Sequence, residues 1–130
     1  MKKLGIAAAC AAGAILVGAC TGQPIYNVND QAVTTTSGKH LSAPQVRSAI
    51  ITAGTSLGWH VADAGPGHLV GTLHLRDHTA VVDIPYSASK YSIVYKSSEN
   101  LDAMNGTIHR NYNGWVQRLD TTIRTELSRM

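Results

Sequence analysis

The chain has 130 residues, with 11 Lys and Arg against 8 Asp and Glu, a net charge of +3 with histidine neutral, and two cysteines. Two cysteines exclude a multiply disulfide-stapled scaffold, and so small a charge excess excludes a nucleic-acid partner argued from bulk charge. The length suits one domain with one core.

Met1-Lys2-Lys3 opens the chain with positive charge, and residues 4–17 then carry none, being mainly Ala, Gly, Ile, Leu and Val. This is the layout of a secretory signal peptide. A spanning helix needs roughly 20 apolar residues, and a run this short and this rich in Ala and Gly inserts weakly. At its end stands Val17-Gly18-Ala19-Cys20. An aliphatic residue, two small residues and a cysteine in that order resemble the bacterial lipobox. The resemblance implies a diacylglyceryl group on the Cys20 thiol, cleavage before Cys20, and acylation of the new amino group by a fatty acid such as palmitate. Cleavage there removes Cys10, Lys2 and Lys3. The remaining 111 residues hold nine basic and eight acidic side chains and no cysteine pair to oxidise.

Residues 20–41 are polar, rich in Thr, Asn and Gly, and show no sustained apolar period, so they are expected to form a lipidated tether, with room for a short strand around 25–28. Extended, they would reach at most ~70 Å, and as a coil they would average roughly 25 Å. Residues 42–130 are expected to form a single α+β domain. Its first element is a helix: Ser42 and Gln45 make a capping box, Pro44 falls in the first turn, and Gly58 marks the stop. Val46, Ala49, Ile50, Ala53 and Leu57 recur three and four apart, which draws one apolar stripe.

Four strand-like runs follow, "GWHVAD", "HLVGTLHLRD", "TAVVDIPYS" and "KYSIVYKS", separated by "AGPG", "DH" and "SASK". Residues opposite each other in an antiparallel pair share a face. A turn at Asp77-His78 sets Leu75 against Ala80, Leu73 against Val82 and Gly71 against Ile84. The loop 87–90 sets Tyr86 against Tyr91, Ile84 against Ile93 and Val82 against Tyr95. Every inward position is then apolar. A three-residue first link places Trp59 beside Gly71, while a four-residue link turns it outward. The last run, "IHRNYNGWVQRLDTTIRTELSRM", has a helical stripe of Val116, Leu119, Ile123 and Leu127, with Asp120 and Arg124 paired at i,i+4. The expected order is helix, four-stranded antiparallel meander, helix, with both helices on the face carrying Leu73, Val82, Ile84, Ile93 and Tyr95.

The segments "YSASKYSIVYKSSENL" and "IHRNYNGWVQRL" also resemble the C-terminal half of a group of small lipoproteins of Gram-negative bacteria, over roughly residues 42–128. The resemblance implies an exported envelope protein and brings no established activity. In such cells an Asp directly after the acylated Cys retains a lipoprotein at the inner membrane. The residue here is Thr21, which implies the outer membrane, facing the periplasm.

On the outer face of the expected meander, Val81 lies between His74 and Lys96, and Asp83 lies between Thr72 and Val94. His74, Asp83 and Lys96 become diagonal neighbours, a cluster able to act as a general base or to hold a small anion, or else an ordinary solvated sheet face. Six histidines invite a metal, yet His74 and His78 lack ligand spacing and no HExxH occurs, so no metal is expected. No GxSxG, P-loop, GxGxxG or mature-chain Cys nucleophile occurs, and "AGPG" joins strands without opening a helix, so no cofactor is expected. Tyr112 and Trp115, with Asn111 and Asn113, either form a recognition patch or pack and cap the last helix. The sequence supports first a lipid-anchored, non-enzymatic binding or assembly module. Its partners would be membrane lipid through acylated Cys20 and an envelope protein, with no nucleic acid. The alternative is a small periplasmic hydrolase or ligand-binding protein built on His74, Asp83 and Lys96.

Overall fold

Ser42 and Gln45 start the first helix as their spacing requires. In the computed structural model, which describes residues 22–130, α1 spans Ala43–Ser56. The Gln45 N–H donates to Ser42 Oγ at 3.3 Å, and the Ser42 N–H donates to Gln45 Oε1 at 2.9 Å, so two orphan donors are satisfied reciprocally. The far end closes as a Schellman motif: the Trp59 N–H reaches the Gly54 carbonyl at 2.9 Å and the Gly58 N–H reaches that of Thr55 at 3.1 Å. Gly58 holds φ 91, a region that disfavours any side chain, so this residue is the stop. Val46, Ala49, Ile50 and Ala53 are buried along one stripe.

The strands are β1 (Gln23–Pro24), β2 (Val28–Ala32), β3 (His60–Asp63), β4 (His68–Leu75), β5 (His78–Pro85), β6 (Lys90–Glu99) and β7 (Thr107–Ile108). β1 pairs with β7, and the rest form a five-stranded antiparallel sheet in the order β2-β6-β5-β4-β3. The described residues are thus α+β, with two helices and a five-stranded antiparallel sheet, α2 spanning Arg110–Ser128. The expected meander β3 to β6 is present, and a fifth strand joins its edge from the segment expected to be a tether.

That segment belongs to the domain from Gly22 onward. Val28 lies opposite Ile93 and is buried, as is Leu41. The Ile25 N–H donates to the Gly106 carbonyl at 3.0 Å, the Val33 N–H to that of Ser89 at 2.9 Å and the Thr36 N–H to that of Ser128 at 3.0 Å. The β2–β6 register shifts between Val28 and Gln31, where Asp30 takes φ 52 and its N–H donates to Ser92 Oγ at 2.9 Å. A bulged edge strand bonded partly through side chains has no clean period-2 pattern, so its residues look like linker.

The β4–β5 hairpin turns tighter than expected. Leu75 pairs with His78, Leu73 with Ala80, Gly71 with Val82 and Leu69 with Ile84, a slip of two residues that preserves every face. Arg76 and Asp77 form the turn, Arg76 at φ 57. Asn100, at the end of β6, clamps it: its Nδ2 donates to the Asp77 carbonyl at 2.7 Å, and its own carbonyl accepts from His78 Nδ1 at 2.6 Å. The β5–β6 pairing keeps the expected register at Tyr86–Tyr91 and Val82–Tyr95, then shifts between Val82 and Val81, leaving Lys96 as the extra residue of a bulge.

Trp59 faces inward at 4% exposure. A Cβ on Gly71 would stand 3.3 Å from Trp59 Cε3, so the missing side chain is what seats the indole. The link between β3 and β4 covers residues 64–67, closed by the Ala64 N–H on the His68 carbonyl at 2.9 Å, and Val61 rather than Trp59 stands opposite Gly71, two residues from the expected register, so the indole reaches Gly71 from just before β3. On α2, Val116, Leu119, Ile123 and Leu127 are buried, and Asp120 is buried with them. Asp120 Oδ1 accepts from the Tyr91 hydroxyl at 2.5 Å, and Oδ2 meets Arg124 Nε at 3.3 Å, so this inward carboxylate is satisfied on both oxygens. Burial, with the Asp120 carboxylate second, pushes the Tyr91 hydroxyl far above the ordinary phenol range and keeps it a donor.

Tyr112 is less well served. It is fully buried, its ring edge-on to Tyr95 at 5.5 Å between centroids, and its hydroxyl has no hydrogen-bond partner among the described residues. Tyr112→Phe is expected to raise stability by about 1 kcal/mol, since it removes a desolvated hydroxyl with nothing to replace. A higher denaturant midpoint is the expected result, and a fall would show a partner for that oxygen.

Candidate functional site

Two places concentrate polar chemistry. The first is the outer face of the sheet. Thr72 and Ser97 flank Val81, and Val70 and Val94 flank Asp83. His68 Nε2 lies 2.7 Å from Asp83 Oδ1, and Lys96 Nζ lies 3.7 Å from Asp83 Oδ2. The expected neighbour His74 stands elsewhere: it is level with Thr79, whose hydroxyl lies 3.1 Å from its Nδ1, and four positions along β4 from the residue opposite Asp83, about 13 Å away. The two-residue slip of the hairpin is the cause, because it moves His74 to the turn and brings His68 alongside the carboxylate. The expected trio His74, Asp83 and Lys96 is therefore corrected to His68, Asp83 and Lys96.

The Lys96 bulge explains how a lysine reaches back toward Asp83. An extra residue breaks the pairing beside Val82 and lets the side chain lean along the strand. Both oxygens of Asp83 are thus engaged. The side chains remain open to water, at 38% exposure for His68, 27% for Asp83 and 51% for Lys96. Half-buried Val70, Val81 and Val94 share the face. Chemically this is a paired carboxylate on an exposed sheet, with the His68 ring oriented by one bond. Among the described residues no cluster of three or more His, Cys, Asp and Glu side chains is arranged to hold a metal.

The second place is the start of α2. His109 caps the helix, its Nδ1 accepting from the Asn111 N–H at 3.2 Å. Asn113, mostly buried, points at the N-terminal segment: its Nδ2 donates to the Pro24 carbonyl at 2.9 Å and its Oδ1 accepts the Tyr26 N–H at 3.0 Å. One side chain thus substitutes for a neighbouring strand, holding residues 24–26 on the side opposite β7. Between that segment and α2 runs an open groove of about 690 Å³ lined by Tyr26, Arg110, Gly114, Trp115 and Arg118, among others.

Of Tyr112 and Trp115, candidates for either recognition or packing, Tyr112 is a core residue and takes the packing role, so it drops out of the candidate partner surface. Its position, four before Val116, continues the buried stripe toward Tyr95. Trp115 is half-buried, its ring 6.2 Å from that of His78, and it lines both the groove above and a second one of about 370 Å³ that includes Leu57, Trp59 and Leu75. Cys20, the expected acylation site, lies outside the described residues, as does the expected signal peptide. No helix among the described residues is long and apolar enough to cross a membrane. No family model, curated protein or solved structure matches the chain.

Proposed function

We propose that the protein is an envelope lipoprotein, held in a membrane by acylated Cys20 and acting as a non-enzymatic binding or assembly module. The observation that carries the proposal is the run Val17-Gly18-Ala19-Cys20, an export and acylation pattern, standing directly before a domain whose pairing begins at Gln23. Thr21 after the cysteine supports the outer membrane, with the domain in the periplasm. An open sheet face supports binding over catalysis, because a reaction needs a concave, water-excluding site around its acid and base. The partner-facing surface in this reading is the sheet face of Val70, Val81 and Val94. Both helices then cover the opposite face, which is consistent with the Tyr91–Asp120 bond from β6 to α2 and with Gly54, whose position for a Cβ meets Val61 of β3 and Leu119 of α2.

The second reading, a periplasmic ligand-binding protein or hydrolase, draws on the 2.7 Å His68–Asp83 pair, with Lys96 able to attract an anion.

Cys20→Ser tests the anchor. Three acyl chains, at ~0.8 kcal/mol per buried CH₂, make attachment effectively permanent. Wild-type protein should partition into detergent and sediment with outer membranes, while Cys20→Ser should accumulate as an uncleaved precursor held only by its short apolar run. A Cys20→Ser protein processed and sorted like the wild type would end the proposal.

A further inference from the structure

The proposed acylation site and the folded domain are almost contiguous. Cys20 stands three residues before Gln23, which pairs with Ile108, so at no more than about 3.6 Å per residue the lipid-bearing Cα lies within about 11 Å of β1. The domain surface around β1 is thereby held near the headgroups, within reach of their field, which decays over about 8 Å at physiological salt.

That surface suits an anionic membrane. Three large apolar side chains are exposed among the described residues, and two of them, Tyr26 and Met104, flank this exit. Met104 belongs to the turn 104–107, whose Gly106 carbonyl accepts from the Ile25 N–H. Across residues 23–26 lies the open groove of α2, with Arg110, Trp115 and Arg118 on its wall. Neither arginine has a carboxylate within ion-pair distance among the described residues. Gly114 sits between them, and a Cβ there would meet nothing within 4 Å. Mid-helix glycine lowers stability by roughly 0.5–1 kcal/mol relative to alanine, and no packing in the domain demands it. Its effect is to keep the groove floor flat between the two arginines.

We infer that Tyr26, Met104, Arg110, Trp115 and Arg118 form a membrane-contacting face that lies on anionic phospholipid headgroups, the two arginines taking phosphate groups beside the anchor. The inference rests on acylation of Cys20. Aromatic rings with a polar edge favour the interfacial layer, and guanidinium groups match phosphate geometry. The domain then sits directly on its membrane in a fixed orientation, where a tether of twenty residues would have let it swing.

The experiment uses the full acylated protein in vesicles of phosphatidylcholine and phosphatidylglycerol whose lipids carry a quencher near the headgroup. Trp115 emission should be quenched, and the quenching should vanish in Trp115→Phe, because Trp59 is buried over Gly71. Each arginine at an anionic surface favours contact about fivefold, so Arg110→Gln with Arg118→Gln should lower the docked-to-free ratio about 25-fold and restore the emission. Vesicles of phosphatidylcholine alone should behave like the double variant, and inorganic phosphate should not reproduce the quenching. Flotation with vesicles and the mass of the Cys20 peptide report the anchor separately. An acylated, floating protein with unquenched Trp115 overturns the docking face and leaves the anchor standing; a protein that neither floats nor carries acyl groups overturns both.

Discussion

A chain beginning at Ser42 is expected to lose cooperative folding, whereas one beginning at Gly22 should fold and melt in a single transition. Residues 22–41 bury Val28 and Leu41 in the core and rest Ile25 and Val33 against it. Full burial of one such side chain contributes about 1.5–3 kcal/mol, so four of them, two partial, contribute an amount comparable with a small domain's whole stability of about 5–15 kcal/mol. The main-chain bonds to Gly106, Ser89 and Ser128 are lost as well, and Asn113 loses both partners at once. Removing β2 also bares the edge of β6, a long strand carrying Tyr91, Ile93 and Val94, which invites edge-to-edge association. Size-exclusion chromatography with far-ultraviolet dichroism on the two chains is the check. A monomeric, cooperatively melting 42–130 chain would return residues 22–41 to the role of a tether.

Gly71→Val should cost about 3 kcal/mol, near the upper end of what overpacking a closed core does. The new Cβ alone would stand 3.3 Å from Trp59 Cε3, 3.3 Å from Val82 Cγ2 and 3.6 Å from Ile84 Cδ1, and two further methyl carbons have no space to enter. Backbone strain plays no part, since Gly71 lies in an ordinary extended strand. Trp59→Leu in the same chain should recover part of the loss, because it shrinks one of the two closest neighbours. Such non-additivity, read as a coupling in chemical denaturation, is the signature of direct contact. Simple addition of the two losses would place the indole elsewhere.

What the sequence disclosed, and what it did not, follows the range of the interactions concerned. The limits of α1 depend on atoms a few residues apart, Ser42 with Gln45 and Gly54 with Trp59, and both ends are readable from residue types alone. The stripe of α2 is equally local. The β5–β6 pairing is readable at Tyr86–Tyr91 and Val82–Tyr95 because an apolar face permits few alternatives. The β4–β5 hairpin is not, since a two-residue slip keeps every side chain on its face and leaves pattern silent. The observed turn is held by Asn100, which donates to the Asp77 carbonyl from 23 residues away, a contact that no local pattern announces. That slip is enough to exchange His74 for His68 beside Asp83. β2 was hidden for a related reason. Its bonds run to Ser92, 62 residues on, and to other distant groups, and a bulge at Asp30 erases the alternation that would have marked it. For Tyr112 the sequence leaves recognition and packing both open; the core takes the ring, and its oxygen has no partner among the described residues.

The proposed anchor is tested most sharply by the intact mass of the wild-type protein, purified in detergent from the envelope of a Gram-negative host. The expected mass is that of a chain starting at Cys20 with a diacylglyceryl group on the thiol and a third acyl chain on the amino group. An unmodified Cys20, or a chain cut at any other position, would contradict it.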